Sequence, residues 1–187
     1  MKTVTLCVLA LFPAGIALAD EAEHREHGPH VHGVAQLNVA LDGNVLWIEL
    51  DSPAMNIVGF EHAPGNAEQN AAVRQATETL QDGARVFGTG PDAGCELTEA
   101  KVTTDIEHPG EEHHDDAEHD EEDEHAEAHS EFQASYRFEC AAPDALTQLE
   151  VRLFELFPAT EEVEAQVISG AGQTAVELTA AAPNLAF

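Results

Sequence analysis

The chain has 187 residues, with 36 acidic side chains against 7 lysines and arginines and a formal net charge of −29 at pH 7. This charge excludes nucleic acid and anionic membrane surfaces as partners and favours cations. The length allows one domain with a hydrophobic core.

The first 19 residues have the features of a secretory signal peptide. Lys2 precedes an apolar run from Val4 to Leu18, and Ala17-Leu18-Ala19 matches an A-x-A cleavage site. An uncleaved anchor is the alternative, but the run is shorter than the ~20 apolar residues of a membrane span. We therefore expect removal of residues 1–19, a single domain over residues 20–187, and an exported protein that is not attached to the membrane.

The segment 34–51 predicts a β-hairpin. Apolar residues alternate on both sides of Asp42-Gly43, which is a favoured two-residue turn. In that register Val39 faces Leu46, and one face of the hairpin is uniformly apolar, as for a sheet that covers a core.

The rest of the chain predicts an α+β fold, with a predominantly antiparallel sheet and one or two helices. A helix is expected over residues 66–81, with Asn66 as its N-cap and Gly83 ending it. The other expected segments are a loop (53–64), a connection or short strand (85–94), strands at 96–106 and 131–140, a strand or helix within 144–157, and a hairpin (163–169 and 175–179) that turns at Gly170-Ala171-Gly172.

An acidic insertion, residues 105–131, separates two of these strands. Its 27 residues include 14 acids, 6 histidines and no lysine or arginine. A segment with so few apolar residues does not bury enough surface to offset its ordering entropy, so we expect a disordered, flexible loop.

Two cysteines follow the signal peptide, Cys95 and Cys140. In an exported chain this pair predicts one disulfide, and a thiolate metal site is the alternative. We expect the disulfide to join the two strands that flank the acidic insertion, and the insertion to leave the folded body near the cysteines.

Histidines in the acidic insertion indicate binding of a transition metal. Neutral imidazole suits zinc, copper and nickel, and carboxylates add oxygen ligands. Protonation of imidazole competes with the metal, so binding should weaken as the pH falls. A solvated acidic linker is the alternative. The candidate ligands of the insertion are His108, His113, His114, His119, His125 and His129.

A second candidate site lies on the folded body. In a strand, His30 and His32 would point to the same side and bind one ion together. The hairpin brings the following segment back toward them, so His62 would complete a three-nitrogen site, with Glu61 as a ligand or as a group that orients one. His24 and His27 are weaker candidates, and an exposed histidine cluster is the alternative.

Two stretches resemble the zinc-regulated, ZrgA-like family of periplasmic zinc-binding proteins. They read HVHGVAQLNVALDG over residues 30–43 and SPAMNIVGFEHAP over residues 52–64. The signal peptide, the His/Asp/Glu-rich insertion and the two cysteines are also similar. The resemblance implies zinc ions as the ligand and support of zinc uptake through an ABC transporter, alongside the substrate-binding protein of that transporter.

These residues favour a protein that buffers or delivers Zn²⁺, and not an enzyme, with no catalytic residues assigned. A copper or nickel sequestration protein would use the same ligands. A zinc-dependent hydrolase would need an open metal position and a base, for which Glu61 is the only candidate, and the chain has no H-E-x-x-H motif.

Overall fold

The computed structural model of the chain describes residues 31–106 and 130–187. Its elements in chain order are β1 (Val34–Asp42), β2 (Val45–Pro53), α1 (Ala54–Val58), α2 (Ala67–Gln81), α3 (Gly83–Val86), β3 (Phe87–Gly88), β4 (Cys95–Thr104), β5 (Glu131–Cys140), β6 (Gln148–Val151), α4 (Leu153–Leu156), β7 (Glu162–Ser169), β8 (Gly172–Thr179) and β9 (Asn184–Ala186). A 3-10 turn at Pro143–Ala145 precedes β6.

The main sheet has six strands in the order β4-β5-β2-β1-β7-β8. All neighbours are antiparallel except β1 and β7, which are parallel. A smaller antiparallel sheet contains β3, β6 and β9. The expected α+β fold with a predominantly antiparallel sheet is confirmed, and within the described ranges α2 is the only helix longer than five residues.

One face of the main sheet and one side of α2 form the core. Alternate residues of the central strands are buried, as the period of a strand requires, while α2 contributes Val73, Ala76 and Leu80 at helical spacing. Tyr136 on β5 packs edge-on against Phe87, with ring centroids 5.2 Å apart, and its hydroxyl donates to the Leu80 carbonyl at 2.8 Å. Burial raises the pKa of Tyr136 far above its usual value near 10.

The β1–β2 hairpin forms as expected, but its predicted register is wrong by two residues. Val39 faces Ile48, and Asp42 pairs with Val45, so the turn residues are Gly43 and Asn44. Gly43 is the first turn residue and adopts a φ of 58°, a conformation that favours glycine. A shift of two residues keeps the side chains on the same face, so the buried set is unchanged.

Two other local expectations are corrected. Residues 53–64 are not a loop throughout, because α1 begins directly after Pro53 and ends at Gly59, whose φ is 83°. For segment 144–157 the sequence allowed either a strand or a helix. The structure has both in its C-terminal part, first β6 and then α4. The predicted helix at 66–81 is confirmed, and the Asn66 side chain accepts from the Gln69 N–H.

The disulfide between Cys95 and Cys140 is present and joins β4 to β5 at directly paired positions. The acidic insertion does not leave near it. The β4–β5 pairing runs from Cys95 opposite Cys140 to Thr104 opposite Phe132, and the insertion departs at this second end. A strand rises about 3.3 Å per residue, so the insertion begins about 30 Å from the disulfide.

Within residues 31–106 and 130–187, no helix is long and apolar enough to cross a membrane.

Candidate metal site

His32 contacts Glu61. The imidazole Nε2 lies 3.2 Å from Glu61 Oε1, and about half of the His32 side chain is exposed, against 12% of the Glu61 side chain. The contact is an ion-pair distance and does not meet hydrogen-bond geometry; because a carboxylate oxygen only accepts, it favours a proton on Nε2. The Nδ1 lone pair of His32 is then available to a metal.

The backbone around His32 differs from the strand that was expected. β1 begins only at Val34, and the Val34 N–H donates to the Val31 carbonyl at 3.1 Å, which closes a turn. Gly33 within this turn has a φ of 88°, a backbone conformation that residues other than glycine rarely adopt. His32 is therefore presented by a tight turn at the start of the sheet, and not by i, i+2 alternation along a strand.

The segment that carries Glu61 is fixed by the end of the acidic insertion. The Ser130 hydroxyl donates to the Glu61 carbonyl at 2.9 Å, while the Ser130 carbonyl accepts from the Ala54 N–H at 2.7 Å. Ser130 itself is buried. The chain that returns from the insertion thus lies against the residue that contacts His32.

The other end of the acidic insertion is held at the same place. The Asp105 carboxylate accepts from the Glu131 N–H at 2.7 Å, and Ile106 is fully buried. These contacts fasten residues 105–106 to residues 130–131, so both ends of the insertion emerge together beside Glu61. The insertion therefore begins and ends next to the His32–Glu61 pair.

His62 lies on the same segment, but no contact joins it to His32. Its ring stacks on Phe60 with centroids 5.1 Å apart, and its Nδ1 lies 2.9 Å from the Ala63 carbonyl. A carbonyl only accepts, so Nδ1 carries the proton in this contact and Nε2 has the lone pair. The side chain is exposed.

The remaining predicted ligands lie outside the described residues. In the described part of the chain, no group of three or more His, Cys, Asp or Glu side chains is arranged to hold a metal ion. The structure therefore contains a two-residue pair at the position expected for the body site, and the larger site stays a prediction. The predicted ligands outside the described residues are His24, His27, His30, His108, His113, His114, His119, His125 and His129.

Sequence reasoning missed Asn56 and Ser130, which position the pair. Asn56 is 2% exposed and contacts the turn that contains Gly33. The signal for Asn56 was a lone amide inside the apolar stretch Ala54–Val58. Ser130 had no comparable signal, since a serine at the end of a polar run is typical of a solvated loop.

A search of curated protein sequences gives no match. The model of the ZrgA family of zinc uptake proteins matches residues 29–187, which is most of the chain. The matched region includes the turn with His32, the segment with Glu61 and the acidic insertion. The chain belongs to the ZrgA family of zinc uptake proteins.

Proposed function

We propose that the mature protein is a periplasmic zinc-binding protein that buffers or delivers Zn²⁺ and supports zinc uptake through an ABC transporter. The observation that carries the proposal is the bond from Ser130 to the Glu61 carbonyl. It places the end of a segment rich in histidine and carboxylate directly beside a histidine–carboxylate pair. Family membership supplies the role in zinc uptake.

His32 is the body ligand with the best-supported geometry. With Nε2 directed at Glu61, its Nδ1 is free to bind Zn²⁺, and the buried carboxylate fixes the ring and makes it a stronger donor. A single imidazole is not enough for a four-coordinate zinc ion. His30, His62 and water are the proposed additional ligands, and the exposure of the His32 side chain leaves room for them.

The acidic insertion acts as the collecting element. Its carboxylates raise the local concentration of divalent cations, and its six histidines bind them reversibly. Both ends of the insertion lie beside Glu61, so an ion held there is within reach of His32. Zinc then passes from the insertion to the body site and from there to the transporter's substrate-binding protein.

Native mass spectrometry with a chelator-buffered zinc titration tests this assignment. The mature chain is compared with His32→Ala and with a full-length variant in which the six insertion histidines are asparagine. We expect His32→Ala to abolish the tightest binding event and leave the number of weaker ions almost unchanged. The insertion variant should keep the tightest binding event and lose most of the weakly bound ions. Equal stoichiometry and affinity in all three proteins would contradict the proposal.

A deletion of the insertion is a second test, and the structure sets its limits. Ile106 is buried, and Ser130 and Glu131 hold the site, so the deletion must fall within residues 108–129. A longer deletion would disturb Glu61 itself. We expect the shorter deletion to keep the tight site and lose capacity.

Copper or nickel sequestration is the alternative function, because the same ligands bind these metals. Two measurements distinguish these functions. The first is competitive loading of the protein with equal free concentrations of the three ions. The second is the metal-dependent growth of a strain that lacks the protein. Rescue by zinc alone supports zinc uptake.

The export that the proposal requires is tested by the mass of the periplasmic protein, which should begin at Asp20.

A further inference from the structure

We infer that Asn56 is a positioning residue that holds the turn at Gly33 so that His32 faces Glu61 and presents its free nitrogen to zinc. The inference rests on the proposed function of His32. It adds a residue of α1, which has no contact with the metal, to the groups that determine zinc affinity.

Asn56 joins two separate parts of the chain through three hydrogen bonds. Its Oδ1 accepts from the Gly33 N–H at 2.7 Å, and its Nδ2 donates to the Val34 carbonyl at 3.0 Å and to the Ser52 hydroxyl at 3.3 Å. Asn56 lies five residues before Glu61. Its side chain therefore fixes the turn next to His32, while Ser130 holds the backbone of Glu61.

The bond to the Gly33 N–H has a specific consequence for His32. This N–H belongs to the peptide unit between His32 and Gly33, so the bond fixes the plane of that unit and with it the direction of the His32 side chain. The Gly33 carbonyl belongs to the next peptide unit, where it accepts from the Glu161 and Glu162 N–H groups at 2.7 and 3.0 Å. Those two bonds attach the turn to β7.

The two peptide units are joined by a glycine, which rotates more freely than any other residue. Gly33 has a φ of 88°. Its carbonyl bonds to β7 therefore do not determine the orientation of the unit before it. The bond to Asn56 acts directly on that unit, in addition to the Val34–Val31 bond that closes the turn, and because Asn56 is buried, water does not replace it there.

The main alternative is that Asn56 only stabilises the fold. Ser52 provides the matched control, since it is buried to the same degree and is bonded to the same amide. Ser52→Ala removes a buried polar contact of Asn56 but leaves the Gly33 bond in place. Asn56→Ala removes the Gly33 bond itself.

The test follows the His32 ring signal by ¹H–¹³C NMR while a chelator buffer sets free Zn²⁺, which makes the reading independent of the acidic insertion. A His32→Asn variant identifies the signal. We expect Asn56→Ala to raise the half-saturating zinc concentration about 10- to 100-fold, the usual effect of losing a group that orients a ligand. Ser52→Ala should leave it unchanged. Equal effects of the two substitutions, or no effect of Asn56→Ala, would overturn the inference.

Hydrogen exchange in the unaltered chain gives a second reading if Asn56→Ala does not fold. Zinc that binds only the closed turn must suppress its opening, so at 100 times the dissociation constant the Gly33 amide should exchange about 100-fold more slowly. The Gly94 amide, which donates to Pro91, is the control and should not respond. The role of Asn56 is refuted if the Gly33 amide is unprotected. It is also refuted if the exchange rate of this amide does not change with zinc while the His32 signal reports binding. A His32 signal that never responds to zinc refutes the proposed function itself.

Discussion

Replacement of Glu61 by glutamine should weaken zinc binding at the body site without disturbing the fold. Glutamine has the same shape as glutamate, and the Ser130 bond is made to the Glu61 backbone carbonyl, which the substitution keeps. What changes is the charge 3.2 Å from His32 Nε2. The substitution therefore isolates the electrostatic contribution of Glu61 from its structural one.

The size of the effect follows from the geometry. A zinc ion on His32 Nδ1 lies across the ring from Glu61, about 6–7 Å from the carboxylate oxygen when the Zn–N bond is ~2 Å. For a site that is half exposed, an effective dielectric of about 40–80 gives an attraction of roughly 1–3 kcal/mol between a divalent ion and the carboxylate. This corresponds to a loss of about 10- to 100-fold in affinity.

Isothermal titration against a competing chelator measures the change, with Glu96→Gln as the control. Glu96 is an exposed acid near the disulfide, at the opposite end of β4, so its substitution removes the same charge far from the site. We expect Glu96→Gln to leave the affinity unchanged. An affinity for Glu61→Gln that equals that of the unaltered chain would refute the pairing of His32 and Glu61 as the zinc-binding unit.

Three further predictions concern the fold that supports the site. Burial raises the pKa of Tyr136, so its phenol ionises more readily in the unfolded chain, and the free energy of unfolding should fall as the pH rises above about 10. Chemical denaturation of Tyr136→Phe should show a smaller fall over this pH range. At neutral pH the same substitution should cost about 1 kcal/mol, because the bond to the Leu80 carbonyl is lost. A Cβ added at Gly83 would lie 2.6 Å from the Tyr136 ring, so Gly83→Ala should destabilise by about 1–3 kcal/mol, while Gly65→Ala, at 3.7 Å from its nearest neighbour, should change stability by less than about 0.5 kcal/mol. Replacement of the disulfide cysteines by serine should lower the free energy of unfolding by about 4 kcal/mol for a separation of 45 residues yet keep the zinc affinity, and a joint loss of both would contradict the separation of the disulfide from the site.

Much of the sheet was predictable because its strands bury only one face. The alternation over residues 34–51 identified the inward residues correctly even though the hairpin register was wrong, since a shift of two preserves the side-chain parity. The choice of turn was less secure because Asp42-Gly43 and Gly43-Asn44 both satisfy turn preferences. The strand pairing distinguishes them: Asp42 pairs with Val45, and no described residue other than glycine has the positive φ that a type I′ turn would require at Asp42.

The candidate site was predictable in part, for a different reason. Histidine and carboxylate types identified His32 and Glu61, and the hairpin geometry brought their segments together. The means of holding them was not predictable, because it depends on Asn56 and Ser130, which form bonds to backbone atoms distant in sequence. Such contacts leave no periodic pattern and depend on the turn at Gly33, which alternation alone extends wrongly into a strand.

The structure places the disulfide and the candidate metal site at opposite ends of the β4–β5 pair. The disulfide joins the strands at one end, while at the other the acidic insertion departs between Asp105 and Glu131, beside Glu61. The described ends of the insertion are attached to the fold by a bond between Asp105 and Glu131 and by the buried side chains of Ile106 and Ser130. We therefore expect changes in the length or histidine order of residues 108–129 to alter the number of zinc ions bound more than the stability of the fold. We expect metal selectivity to depend on the His32–Glu61 pair, where Asn56 bonds to the turn beside His32 and Ser130 bonds to the Glu61 carbonyl.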